Sequence, residues 1–169
     1  MALVIEDGTP VPGANSYATV AQARDYASAR GVTLSADDPT VEALLIEACD
    51  YLESLESRFK GSRTSPDSQD LAWPRTGVYL YGSKTMFAID DIPALLIKAQ
   101  CQLAMDAVDI DLLPTGSGKE VVKEKVDVIE VEYSKGQGSV ALPELNAAMA
   151  ILGPLLNGGG GMRLTTYRI

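Results

Sequence analysis

Asp38-Pro39-Thr40-Val41-Glu42-Ala43-Leu44-Leu45-Ile46-Glu47-Ala48-Cys49-Asp50-Tyr51-Leu52-Glu53-Ser54-Leu55-Glu56-Ser57-Arg58-Phe59-Lys60-Gly61 decides the fold class. Leu44, Leu45, Ala48, Tyr51, Leu52, Leu55 and Phe59 recur at three- and four-residue steps, the period of one helical face. Asp38 supplies a cap and Pro39 a first-turn proline, where a missing N–H is harmless. Gly61 ends the run. Glu42, Glu47, Asp50, Glu53 and Glu56 fill the remaining faces and read as a solvated acidic surface. A helix with one apolar stripe has to bury that stripe against other helices.

The flanking sequence supplies them. Thr19 caps a helix over Val20–Arg30 that turns Val20, Ala23 and Ala27 to one side and stops at Gly31. A third helix starts near Pro93 and runs to about Leu112, with Leu95, Leu96, Ala99, Leu103 and Val108 on a broad apolar side. A fourth covers Pro143–Leu156, with Pro154 distorting its end. The clearest strand signal is Val121–Tyr133, where Val131 and Tyr133 alternate with Glu130 and Glu132. After it, Asn157-Gly158-Gly159-Gly160-Gly161 cannot hold regular structure cheaply, yet Met162–Ile169 regains strand-forming residues. The expected fold is therefore mainly α, a four-helix domain over 1–156 with a small β-ribbon near 121–133. An extended C-terminal arm, hinge included, occupies 157–169.

The connection Gly61–Asp91 is too long for an idle loop. It carries the only tryptophan, in Leu71-Ala72-Trp73-Pro74-Arg75-Thr76-Gly77-Val78. Trp73 precedes a proline, and Arg75 sets a permanent cation with five donors beside the ring. Two readings are open for Trp73, Pro74 and Arg75: a plug that anchors the loop to the helices, or a rigid contact surface for another protein. Val78, Leu80 and the Gly82-Ser83 turn allow a short hairpin returning through Thr85–Ala88.

This stretch has companions at fixed order and spacing: Glu6-Asp7-Gly8, Asn15-Ser16-Tyr17, Arg58-Phe59-Lys60-Gly61-Ser62-Arg63-Thr64, Glu124-Lys125-Val126 and Ile129-Glu130-Val131-Glu132-Tyr133. Together they resemble the head-tail adaptor (connector, head-completion) proteins of the tailed-bacteriophage neck, from about Leu3 to Leu156. Some relatives carry a label likening them to a primosomal single-stranded-DNA-binding protein. The Tyr79–Ile89 insertion and the Gly-rich tail depart from the pattern. The resemblance implies a structural virion protein that forms a ring, most often of twelve copies, under the portal protein. A tail-side neck, stopper or tail-terminator protein would bind below it. Double-stranded DNA would pass through the ring without specific binding. Glu130 and Glu132 are candidates for the channel wall. Arg163, Leu164, Tyr167, Arg168 and Ile169 are candidates for a docking arm on the portal or a neighbouring subunit, against the plainer reading of a frayed terminus.

Charge and composition weigh the alternatives. A net charge of -9 argues against phosphate binding as the main activity, since that rests on clustered Lys and Arg. Arg58, Lys60 and Arg63 form a small local exception. Binding of single-stranded DNA, the competing label, calls for a basic groove set with aromatics, and only Phe59, Trp73, Tyr79 and Tyr81 lie near cations. No histidine is present, which removes the usual general base and the commonest metal ligand. Cys49 and Cys101 sit among apolar helical neighbours and read as buried reduced thiols. Gly118-Lys119 lacks the first glycine and the Ser or Thr of a phosphate loop. No enzyme activity, cofactor, metal or membrane partner is expected, and the absence of a leader pattern at the N-terminus points to the host cytoplasm before assembly.

Overall fold

The computed structural model describes residues 2–80, 85–114 and 145–158. Within them the fold is mainly helical with one small antiparallel sheet. The helices are α1 (Val20–Ser28), α2 (Asp38–Ser54), α3 (Ala94–Asp106) and α4 (Asn146–Leu152). Short 3-10 turns extend α2 over Glu56–Arg58 and α4 over Gly153–Leu155, the latter at Pro154. Strands β1 (Ser62–Arg63) and β2 (Arg75–Thr76) pair antiparallel.

Local chemistry sets these boundaries. The Thr19 hydroxyl accepts from the Gln22 N–H at 3.2 Å while the Gln22 side chain accepts from the Thr19 N–H at 2.8 Å, a reciprocal cap. The cap of α2 is Asp37 and not Asp38: the Asp37 carboxylate accepts from the Thr40 N–H and hydroxyl. Helix α3 stops at Asp106, short of Leu112, because the chain turns at Ala107–Asp109 to bring Leu112 under α2. There the Leu112 N–H donates to the Glu47 carboxylate at 3.1 Å, and Leu112 is fully buried. Val108, expected on the apolar side of α3, lies beyond the helix and is 55% exposed. Helix α4 spans less than Pro143–Leu156.

Helix α3 packs against α1, α2 and α4 and lies at the centre of the molecule. Fully buried alanines at 23, 48, 99, 104 and 148 let the axes approach closely, and Leu45, Leu52, Leu96, Leu103 and Leu152 fill the space between them. Each such leucine contributes about 1.5–3 kcal/mol relative to exposure. The aliphatic core matches the low aromatic content of 6%.

The N-terminal segment is held by hydrogen bonds. Ile5 bridges Ser16, and the buried Glu6 carboxylate accepts from the Gly8 and Val11 N–H groups at 2.8 and 3.0 Å. Gly8, at φ +102°, lies against the Asp90 carbonyl where a Cβ would collide. This explains Glu6-Asp7-Gly8 as a turn that closes on the end of the long connection. The ribbon expected near 121–133, and with it Glu130 and Glu132, lies outside the described residues, as do Arg163, Leu164, Tyr167, Arg168 and Ile169.

Candidate functional site

Residues 59–78 and 153–158 converge on the C-terminal end of α2. Trp73 is fully buried, with Phe59 at 5.8 Å and Phe87 at 6.5 Å between ring centroids, both edge-on. The Trp73–Pro74 peptide is cis. The indole N–H has no hydrogen-bond partner among the described residues. Arg75 is 6% exposed, and its guanidinium donates to the carbonyls of Lys60 (2.8 Å), Gly61 (2.8 Å) and Ala72 (3.1 Å). One planar fork thus closes the loop at both ends, since Lys60 and Gly61 precede β1 while Ala72 precedes β2. Burial pulls the guanidinium below its ordinary value, with the Glu56 carboxylate 3.8 Å away opposing that. Gln69 adds a second clasp by donating to the Leu71 and Pro74 carbonyls.

A polar network ties this loop to the bundle. The Tyr17 hydroxyl donates to Glu53 at 2.7 Å and accepts from the Trp73 N–H at 3.1 Å. The other Glu53 oxygen accepts from the Ala72 N–H at 2.7 Å. The Tyr17 N–H donates to Gln100, whose amide donates to the Ser16 hydroxyl and the Leu45 carbonyl. Burial raises the Glu53 carboxyl above the usual carboxylate range, against the Tyr17 and Ala72 bonds that favour the anion. Burial, reinforced by Glu53, pushes the Tyr17 phenol well up. Glu53 is therefore an inward clamp, which corrects its placement on a solvated acidic face. Glu56 departs from that face too, pairing with Arg63 through two bonds of 2.6 and 2.7 Å. The Arg63 hydrogen bond lowers the Glu56 carboxyl.

The C-terminal end of the described chain crosses the same place. Phe59 bridges Leu156 antiparallel, the Lys60 N–H donates to the Leu155 carbonyl, and its ammonium donates to the Pro154 carbonyl at 2.7 Å. Asn157 donates from its backbone to Arg58 and from its side chain to Phe59. Asn157, read from sequence as part of the hinge, is thus fastened to the domain. An open cleft of about 580 Å³ lies alongside, lined by Ser54, Glu56, Ser57, Phe59, Gly61, Arg75 and Asn157.

These observations place Trp73, Pro74 and Arg75 in the interior, as the anchor of the loop. The small basic group of Arg58, Lys60 and Arg63 is largely committed: Arg63 to Glu56 and Gln69, Lys60 to backbone carbonyls. Counted over the described residues, seven Lys and Arg face seventeen Asp and Glu. Of the aromatics expected near cations, Phe59 and Trp73 are buried and Tyr79 is 46% exposed; Tyr81 lies outside the described residues. Cys49 and Cys101 are buried thiols; burial pushes Cys101 up to about 11 and Cys49 further. Among the described residues no group of three or more carboxylate or thiol ligands could hold a metal, and no helix is long and apolar enough to cross a membrane.

Residues 1–169 match the family described as DnaT-like ssDNA binding protein. The chain belongs to that family. No curated protein and no solved structure matches it. In this member of the family the Trp73, Arg75 and Tyr17 side chains hold one long loop shut. Sequence reasoning missed Tyr17, Glu53 and Gln100 as a unit. Gln100 alone carried a signal, polar type at a core-facing position of α3, while Tyr17 lies in the bend before α1 and Glu53 reads as surface.

Proposed function

We propose that the chain is a structural subunit of the phage neck, a head-tail adaptor that joins the portal protein to a tail-side neck or stopper protein as a ring around passing double-stranded DNA. The observation that carries this reading is the acidic balance of the described residues, seventeen acids to seven cations, with the Trp-Pro-Arg motif turned inward. Such a surface repels a phosphate backbone over about 8 Å at physiological salt, as a passage for DNA requires. The order and spacing of the adaptor-like motifs support it further. About twelve copies at -9 repel one another, so the ring is expected to form on the portal and not in dilute solution at low salt.

A second reading, single-stranded DNA binding, is favoured by the family description, which does not bear on the neck reading. On the described surface it would rest on Tyr79, with the Lys60 ammonium 3.4 Å from the Tyr79 carbonyl, and on Tyr26, whose ring the Arg30 guanidinium covers at 3.3 Å.

One pair of measurements separates the two. Fluorescence anisotropy with an oligothymidylate, taken across a salt series, is expected to show little binding at moderate salt. Co-sedimentation with the portal protein of the same phage is expected to retain the chain. Binding that falls steeply with salt and is weakened by Tyr79→Ala or Lys60→Ala, together with no portal association, would reverse the order of the readings.

A further inference from the structure

Of the seven large apolar side chains exposed among the described residues, six fall into two groups. Tyr79, Met86 and Ile89 belong to the hairpin-like excursion of the long connection, where Tyr79 bridges Met86. Val108, Ile110 and Leu113 follow α3, and the first two line an open cleft of about 530 Å³ together with Glu47, Ala107, Asp109 and Asp111. The second group has a uniform rim. Every charged residue lining it is acidic: Asp109, Asp111 and Glu47 of α2. Apolar floor and acidic rim together specify an occupant that alternates apolar and cationic side chains.

The C-terminal segment of the chain is of this kind. In Met162-Arg163-Leu164-Thr165-Thr166-Tyr167-Arg168-Ile169 the only charged side chains are Arg163 and Arg168, interleaved with Leu164, Tyr167 and Ile169. We infer that the cleft beyond α3 seats Met162–Ile169 of a second copy of this chain. Guanidinium forks suit carboxylate rims, and Tyr167 is the kind of rigid aromatic that fills an interface pocket. Length permits contact with a neighbour. The tail is rooted where Asn157 donates to the Arg58 carbonyl at 2.7 Å. Fully extended, the residues from Gly159 to Ile169 span about 36 Å, against about 25 Å for α2, the longest helix. The tip therefore outreaches the longest element of its own fold.

Cleft and tail are different surfaces, so the contact is head-to-tail and closes into a ring when the rotation permits. The inference rests on the assembly reading and names the surface through which copies would meet.

The test uses the full chain at physiological salt, where the repulsion that keeps copies apart at low salt is screened. Trypsin cuts after Arg163 and Arg168, and mass spectrometry reads the tail products at a series of protein concentrations. Cleavage after Arg163 is expected to slow about tenfold between low and high micromolar protein, as about nine-tenths of the tails become seated. Asp109→Lys and, separately, Val108→Glu should abolish that slowing; both positions are exposed, and an unchanged melting curve certifies the fold. Arg163→Asp combined with Arg168→Asp should remove self-association in sedimentation velocity, and adding Asp109→Lys to that chain should restore part of it. Protection independent of concentration would place the tail on its own chain and overturn the inference, as would cleavage that neither substitution alters. Normal incorporation of the Asp109→Lys chain into particles would remove the cleft from assembly while leaving the adaptor reading standing.

Discussion

Replacing Arg75 with alanine tests the central structural claim. The guanidinium serves the Lys60, Gly61 and Ala72 carbonyls from a site only 6% exposed. A hydrogen bond to a charged group is worth about 1.5–3 kcal/mol, and a buried acceptor left bare costs a further fraction of that. The three bonds share one planar group and do not add independently. Water entering from the neighbouring 580 Å³ cleft would also satisfy some of the carbonyls. The expected loss is therefore about 3–5 kcal/mol, the range seen when one member of a buried polar network is removed. Arg75→Lys should lose about 2 kcal/mol, because an ammonium cannot present the fork. With a urea slope of about 1–3 kcal/mol/M, the alanine chain should unfold at a midpoint about 2 M lower. A midpoint shift below about 0.5 M would mean that Arg75 behaves as a surface cation, and the anchor argument would fail. If single-strand affinity dropped while the midpoint stayed put, the residue would instead belong to a nucleic-acid site.

Further outcomes follow from the same geometry. Gly61 has φ +69° and sits against the Thr76 carbonyl, so Gly61→Ala should force β1 from β2 and cost about 2–3 kcal/mol. Gly13→Ala, at φ +75° in open space, should cost only about 1–2 kcal/mol; equal melting points for the two would remove the packing argument. Burial holds the Glu53 carboxyl above its unfolded value of about 4.3, so no penalty exists below that value and one develops as pH rises through the folded one. Glu53→Gln should thus gain relative to wild type with rising pH, on top of the loss of one of the two acceptor oxygens that serve Tyr17 and Ala72; a pH-independent difference in urea stability would refute the clamp. Cys49 and Cys101 should resist a disulfide-exchange reagent at pH 8 in the folded chain and react fully in urea, whereas rapid stoichiometric labelling without denaturant would show either thiol to be open.

The helices were legible because each carries a period and at least one boundary signal of its own. Thr19 marked the start of α1, and the stripe from Leu44 to Leu52 marked α2. What failed were boundaries set from a distance. Glu47 draws Leu112 away from the α3 axis, and no residue near Asp106 announces that. Strands β1 and β2 are two residues long and show no alternation; they pair because Arg75 holds the flanking carbonyls. Trp73 and Arg75 stood out by residue type, but the sequence left open whether they faced inward or outward. That depended on Tyr17 and Glu53, which come from segments far away in the chain. Glu53 was indistinguishable from its solvated neighbours because helical spacing alone cannot separate a rim position from one under a loop.

The fastening of Asn157 and Lys60 has a mechanical consequence. Any tension on the tail after Gly158 is delivered first to the backbone of Arg58, Phe59 and Lys60, where the antiparallel pairing lies. From there it passes through the Lys60 and Gly61 carbonyls to Arg75, and through Ala72 and Glu53 to α2. Short α4 is spared because the knot sits downstream of it. A pull on the arm is thus shared by the loop and the longest helix, so a tethered copy could bear load without first unwinding its weakest element.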